Sequence, residues 1–242
     1  MRPPDAVFAD PRLAALYDAL DADRSDLDAY VAIVEEVSAT AIVDIGCGTG
    51  CLAVRLAELG KQVVGVDPAA ASIEVARAKR FAEHVTWIHG DATALMGRGL
   101  AADLAVMTGN VAQVFVSDDD WARTLEAVRG CLRLGGWLAF ETRRPEVRDW
   151  ERWDVAPTVV TIPGGKTVIV SRRVSDVALP LVTFETATTV DGVTVPSTST
   201  LRFRGRDEVE RDLDQHGFDV VDVRDAPDRP GKELVFMCRR VG

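Results

Sequence analysis

Two periodicities divide the chain. Between residues 10 and 37 apolar positions recur at helical spacing: Leu13, Leu16, Tyr17 and Leu20 share one face, with Asp10 before Pro11 as its start signal. A second stripe, Leu27, Tyr30, Val31, Val34 and Val37, follows Ser25, whose spacing to Asp28 reads as a capping box. From Ala41 short apolar runs take over: AIVDI, QVVGVD, VTWIHGD, ADLAVMT and GWLAFET, with helical stretches through 52–59, over 69–81 and from Ser117, where three aspartates fill the first turn. Strands buried on both faces and joined through helices imply a parallel sheet covered on each side. After Trp153 the rhythm breaks. Residues 158–204 alternate apolar and polar without a helix and carry a hairpin signal at Asp191-Gly192, so they read as an inserted antiparallel sheet. A helix over 207–216 closed by Gly217, the strand FDVVDV and the strand ELVFMC complete the pattern, the last two joined by a loop and hence antiparallel.

Composition narrows the functional classes. The 242 residues are 47% hydrophobic and 27% charged, enough for a packed core, and a net charge of −10 disfavours a nucleic-acid partner. The charge is uneven: residues 1–40 hold three Arg against nine acids, while 158–206 hold six basic against three acidic side chains, so an anionic ligand would prefer the insertion. No apolar run reaches the roughly 18 residues of a membrane span, and MRPPDAVFADPR lacks a basic-then-apolar leader, so a cytoplasmic protein without membrane contact is expected. Cys47, Cys51, Cys131 and Cys238 form no CxxC pair; neither a metal site nor a disulfide framework is expected.

Candidate chemistry concentrates in VDIGCGTG, residues 43–50. A buried strand ends in Gly46, Gly48 and Gly50 just before a helix, which permits a tight turn and lets a ligand lie against bare backbone. Asp67 closes the second strand, where a carboxylate can accept both hydroxyls of a ribose. An adenosine-bearing ligand follows. In a dinucleotide fingerprint the third glycine would fall where Cys51 stands, so NAD is not supported.

Asp44, Gly46, Gly48 and Gly50 resemble the first motif of class I S-adenosylmethionine-dependent methyltransferases of the small-molecule type, E/D-x-G-x-G-x-G. WIHGDAT resembles the family's third-strand motif, and LRLGGWLAF its segment leading into strand five, with Arg133-Leu134 in place of the commoner Lys-Pro. The resemblance implies an α/β, Rossmann-like three-layer sandwich with a seven-stranded, mostly parallel sheet whose last strand is antiparallel. Residues 1–157 and 205–242 would form this core with its N-terminal helices, and 158–204 the inserted antiparallel β subdomain. It implies S-adenosylmethionine as cofactor, held by Asp44, Gly46, Cys47, Gly48, Gly50, Asp67, Pro68 and Asn110, with Asp91 and the Ala92 N–H on the adenine and Tyr17 over the methionine end. Tyr17 also reads as a core residue, Asp91 as a helix cap, His89 as a satisfied strand-end histidine, and Trp150 with Trp153 as a seam or a pocket wall.

The expected partner is a small polar or acidic molecule, and the expected assembly a monomer or homodimer. Methyl transfer from a sulfonium is an in-line displacement, so alignment and exclusion of water carry most of the catalysis. The segment MTGNVAQVF lacks the Asp/Asn-Pro-Pro-Tyr pattern of exocyclic-amine and amide methylation. Asn110 is the candidate polar contact there, Glu141 at the end of strand five the candidate base, and Arg143 and Arg144 candidate anchors for an anion. A cofactor-binding protein without catalysis and a nicotinamide-dependent oxidoreductase stay open as alternatives.

Overall fold

The computed structural model describes residues 3–242. Met1 and Arg2, the first residues of the stretch read for a leader, lie outside the described residues. The helices are α1 (Ala6–Ala9), α2 (Pro11–Leu20), α3 (Asp26–Glu36), α4 (Cys51–Glu58), α5 (Ala70–Arg77), α6 (Asp118–Cys131) and α7 (Arg206–Gln215). The strands are β1 (Ala41–Ile45), β2 (Gln62–Asp67), β3 (Val85–His89), β4 (Ala102–Met107), β5 (Leu132–Arg143), β6 (Val155–Thr161), β7 (Thr167–Ala178), β8 (Leu181–Val190), β9 (Val193–Arg202), β10 (Phe218–Asp225) and β11 (Glu233–Arg240).

Seven strands form one sheet in the order β10-β11-β5-β4-β1-β2-β3, and β6 to β9 form a separate four-stranded sheet. In the large sheet β1 to β5 run parallel, while β11 is antiparallel to both of its neighbours. This is the sandwich that the alternating strand and helix pattern predicts. The apolar runs divide by parity, as strands covered on both faces must. Val43, Ile45, Ala105, Met107, Leu138 and Phe140 face α6 and α7, whereas Ile42, Leu104, Val106 and Ala139 face α3 and α4. Phe140 stacks on Phe236 at 5.2 Å and meets the edge of Trp121, joining β5, β11 and α6.

The caps follow the sequence with one exception. Asp10 accepts from the Arg12 N–H and Ser117 from the Asp120 N–H, each closing a helix start. Ser25 makes no such bond: its own backbone is already helical, and its N–H instead donates to Asp23. Helix α5 ends at Arg77, well short of Phe81, and the four-residue α1 precedes the helical periodicity that starts at Asp10.

The second sheet starts at Val155 and packs Ile162, Val168 and Val190 against Leu16 of α2. Trp150 and Trp153 pack with Val182 and Phe203. They are a hydrophobic seam beneath this sheet and not a pocket wall. Among the described residues no helix is long and apolar enough to cross a membrane.

Gly50 sits at φ +77, and a methyl built on it would stand 2.5 Å from Trp87 Cη2 and 2.8 Å from Ala76 Cβ. Gly60, at φ +78, faces open space. Gly50→Ala is therefore expected to destabilise by about 2–4 kcal/mol, through overpacking added to backbone strain, and Gly60→Ala by about 1 kcal/mol. Urea unfolding of the two variants checks the difference.

Candidate functional site

The carboxyl ends of β1, β2, β3 and β4 open into a cavity of about 240 Å³. Open α/β sheets bind ligands at this edge because the strand-to-helix loops splay apart there. Asp44, Gly46, Cys47, Gly48, Asp67, Pro68, Asp91, Ala92 and Tyr17 all line it.

Asp44 is 1% exposed, and neither carboxylate oxygen has a hydrogen-bond partner among the described residues. Burial, reinforced by the nearby Asp67, pushes its acid group up to about 7, against a partly offsetting pull from Arg24. A buried, unpaired carboxylate is costly unless something cationic or rich in N–H groups meets it. Asp67 is held differently: one oxygen accepts from the Gly48 N–H at 2.8 Å, the other from the Ala69 N–H at 2.7 Å. It shapes the glycine loop as well as facing the cavity, and burial raises its acid group. Gly48, at φ +53, has nothing within 4 Å of where a side chain would begin, so its backbone is bare toward a ligand.

Asp91 caps the turn at Ala92–Leu95 and also lines the cavity. One oxygen accepts from the Thr93 N–H at 3.0 Å and from the Thr93 hydroxyl. A buried unpaired carboxylate, bare glycine backbone and two strand-end acids suit a ligand with an ammonium or sulfonium, a ribose diol and an adenine. S-Adenosylmethionine fits that donor set, and phosphate groups do not.

Five expected site residues do not line the cavity. Gly50 does not line the cavity; its conformation serves the packing of Trp87 and Ala76. The Asn110 side chain is 2% exposed and donates to Glu233 Oε1 at 3.0 Å, behind the cavity wall. Glu141 is likewise buried and absent from the lining: Oε2 accepts from the Tyr30 hydroxyl at 2.9 Å, and Oε1 from the N–H groups of Gly109 and Asn110 at 2.7 and 3.1 Å. A carboxylate so engaged is not poised to take a proton from a substrate. Arg143 bonds Gln113 and stacks on Trp153, and Arg144 pairs with Glu146 and Asp225, so neither anchors an anion in the cavity.

Other residues complete the walls. Phe8, packed 5.5 Å from Tyr17, also lines the cavity, with Thr108, Phe115 and Thr200 of the second sheet. Arg24 supplies the positive charge nearest Asp44 while bonded to Asp26. Asp18 ties α2 to the glycine loop, accepting from Thr49 Oγ1 at 2.5 Å and pairing with Lys79 at 2.6 Å. Such partners come from distant segments and carry no motif. His89 contacts the Pro68 carbonyl, His216 the Asp212 carbonyl, and His84 lies beside Glu83 at the surface; none lines the cavity. All four cysteines are free, and no metal-ligating cluster occurs among the described residues.

The family model described as a methyltransferase domain matches residues 42–136, the stretch that builds this cavity's floor. Over that stretch the chain is similar to methyltransferases. Its fold is that of an S-adenosylmethionine-dependent methyltransferase from Clostridium acetobutylicum, at a TM-score of 0.77, 17% identity and 96% and 98% coverage of the two chains. An amino pentose methyltransferase from Micromonospora echinaspora, solved with S-adenosylmethionine bound, superposes at 0.73, with 19% identity over 93% and 97%. A ubiquinone biosynthesis O-methyltransferase from Roseobacter denitrificans is 36% identical over 119 residues, 48% of this chain and 46% of that one. The chain thus spans about half the length of that curated relative.

Asp44 gives this site a pH signature. S-Adenosylmethionine, being cationic, favours the ionised carboxylate, so its affinity is expected to fall by up to about tenfold per unit below pH 7 and to level off above. The cofactor-free fold has the opposite preference, because a raised acid group stabilises the protein below the unfolded value and loses that contribution as pH rises through about 7. Asp44→Asn should raise the melting temperature of the cofactor-free protein at pH 8 and remove the pH dependence of binding between pH 6 and 8, with weaker binding throughout. Calorimetry and thermal melts across that range check both.

Proposed function

We propose that this chain transfers a methyl group to a nitrogen of a small polar amine. Bound S-adenosylmethionine supplies an activated methyl on a sulfonium; the chain's own task is to align the acceptor and keep water out. The observation that carries the reading is the character of the lining: no imidazole or lysine occurs among the described lining residues to take a proton, Asp120 and Arg123 pair with each other, and the Asp44 carboxylate is left unpaired. An unpaired carboxylate draws a cation. An amine needs no protein base once its ammonium has lost a proton to solvent, whereas an aliphatic hydroxyl does.

Much of the insertion's positive charge, which suggested an acidic acceptor, is spent on internal partners, Arg172 near Tyr17 excepted. Arg202 bonds the Val116 carbonyl, Asp118 and Glu208, and Arg204 bonds two further carbonyls of the segment after β4. Lys166 and Arg173 close surface ion pairs with Asp191 and Glu185. The N-methylating reading agrees with the amino pentose specificity named for the Micromonospora protein, although at 19% identity that likeness bears on the fold.

Direct calorimetry with S-adenosylhomocysteine, followed by product release in the presence of amino sugars such as D-glucosamine and, separately, a catechol, tests the proposal. Methylation of the amine and not the catechol is expected. Methylation of the catechol alone would overturn the nitrogen assignment, and cofactor binding without turnover on any acceptor would favour a non-catalytic binder. Asp67→Ala should weaken cofactor binding by about 1.5–3 kcal/mol, since it removes a charged acceptor and unties Gly48.

A further inference from the structure

The segment after β4 is a cavity wall with little regular structure of its own. Asn110 sits at φ +62, a single 3-10 turn covers Val111–Val114, and Thr108, Gly109, Val111 and Phe115 face the cavity. Its backbone polar groups need partners from elsewhere, because buried N–H and C=O groups are rarely left unpaired. The N–H groups at its start are met by one anion, Glu141 Oε1. The carbonyls at its end are met by one cation: Arg204, 3% exposed, donates to the Ala112 carbonyl at 3.4 Å and the Phe115 carbonyl at 2.8 Å, with its guanidinium over the Trp121 ring. Tyr30 of α3 fixes the second Glu141 oxygen, so the anion cannot swing away.

We propose that Glu141 and Arg204 are positioning residues, an anion and a cation that clamp opposite ends of the Gly109–Phe115 wall and so place the acceptor against the transferred methyl. Glu141 comes from the end of β5 and Arg204 from the stretch just beyond β9, so the clamp couples the second sheet to the core at the acceptor side of the cavity. The wall also touches the cofactor loop, since a methyl built on Gly46 would meet Val111 Cγ2 at 2.6 Å. Displacing the wall misplaces the acceptor while Asp44, Asp67 and Asp91 keep their hold on the cofactor.

The turnover arm of the test rests on the amine methylation proposed above; two other arms do not. Amide hydrogen exchange at Gly109 and Asn110 reads the clamp directly, and S-adenosylhomocysteine calorimetry reads the cofactor half. In Glu141→Gln the amide oxygen still accepts both N–H groups, so protection, turnover within about threefold and the wild-type pH profile are expected to persist. In Glu141→Ala exchange at those two amides should accelerate about a hundredfold and turnover should fall about thirtyfold, with S-adenosylhomocysteine affinity within about fivefold.

Arg204→Met should loosen the other end, speeding exchange of the Gln113 amide that donates to the Asn110 carbonyl, again with cofactor affinity kept. A Gln variant as inactive as the Ala variant, with the wild-type pH dependence lost, would make Glu141 an ionisable base and overturn the proposal. So would unchanged exchange in Glu141→Ala, or cofactor affinity that falls in proportion to turnover. If no amine is methylated, exchange and calorimetry still decide the clamp, and the failure belongs to the acceptor assignment.

Discussion

A carboxylate buried without a partner at the end of β1 is the constraint around which this cavity is organised. Asp44 is nearly inaccessible, and the cofactor-free protein bears the cost of keeping it there. Nothing in packing alone would select an acid at that position, whose flanking residues Val43 and Ile45 are core aliphatics. The surrounding groups limit the cost and leave it in place: Arg24 acts on Asp44 without bonding it, and Asp67 satisfies itself on two backbone N–H groups. What remains is an unmet demand for positive charge at one point in the cavity, which is a definition of a binding site in electrostatic terms.

The parts of the site legible in the sequence are those where chemistry and backbone lie in one local segment. The glycine loop, Asp44 and Asp67 sit on adjacent parallel strands, and the turn geometry that exposes Gly48 is written in three alternating glycines. The same logic made the parity of the strands and the caps at Asp10 and Ser117 readable. Residues defined by distant pairing were not. Tyr30 reads as a stripe residue of α3, which it is, yet its hydroxyl reaches Glu141 from 111 positions away. Glu141 carries the same strand-end signature as a catalytic acid. Only its partners distinguish a proton acceptor from a group that organises backbone.

Regional charge needs its internal pairing counted first, for a related reason. A count over 158–206 treats its basic side chains as free, but Arg202 and Arg204 face carbonyl oxygens of the segment after β4. A guanidinium suits that task because its fork of donors can meet several carbonyls at once, and burial that lowers Arg204 to about 10 still leaves it charged at neutral pH. Net charge describes what a surface attracts only after internal pairing has been subtracted.

These two features divide the cavity's labour. The cofactor end is held by local, short-range geometry: a glycine loop and the acids at the ends of β1, β2 and β3. The acceptor end is held by pairs that bridge separate parts of the chain, from α3 and β5 on one side and the end of the second sheet on the other. For an in-line displacement the second arrangement matters most, because a shift of about 1 Å between nucleophile and methyl can cost about a hundredfold in rate. It also leaves room for variation: the wall can be re-aimed through its clamps, changing which acceptor fits, while the loop that grips the cofactor stays as it is.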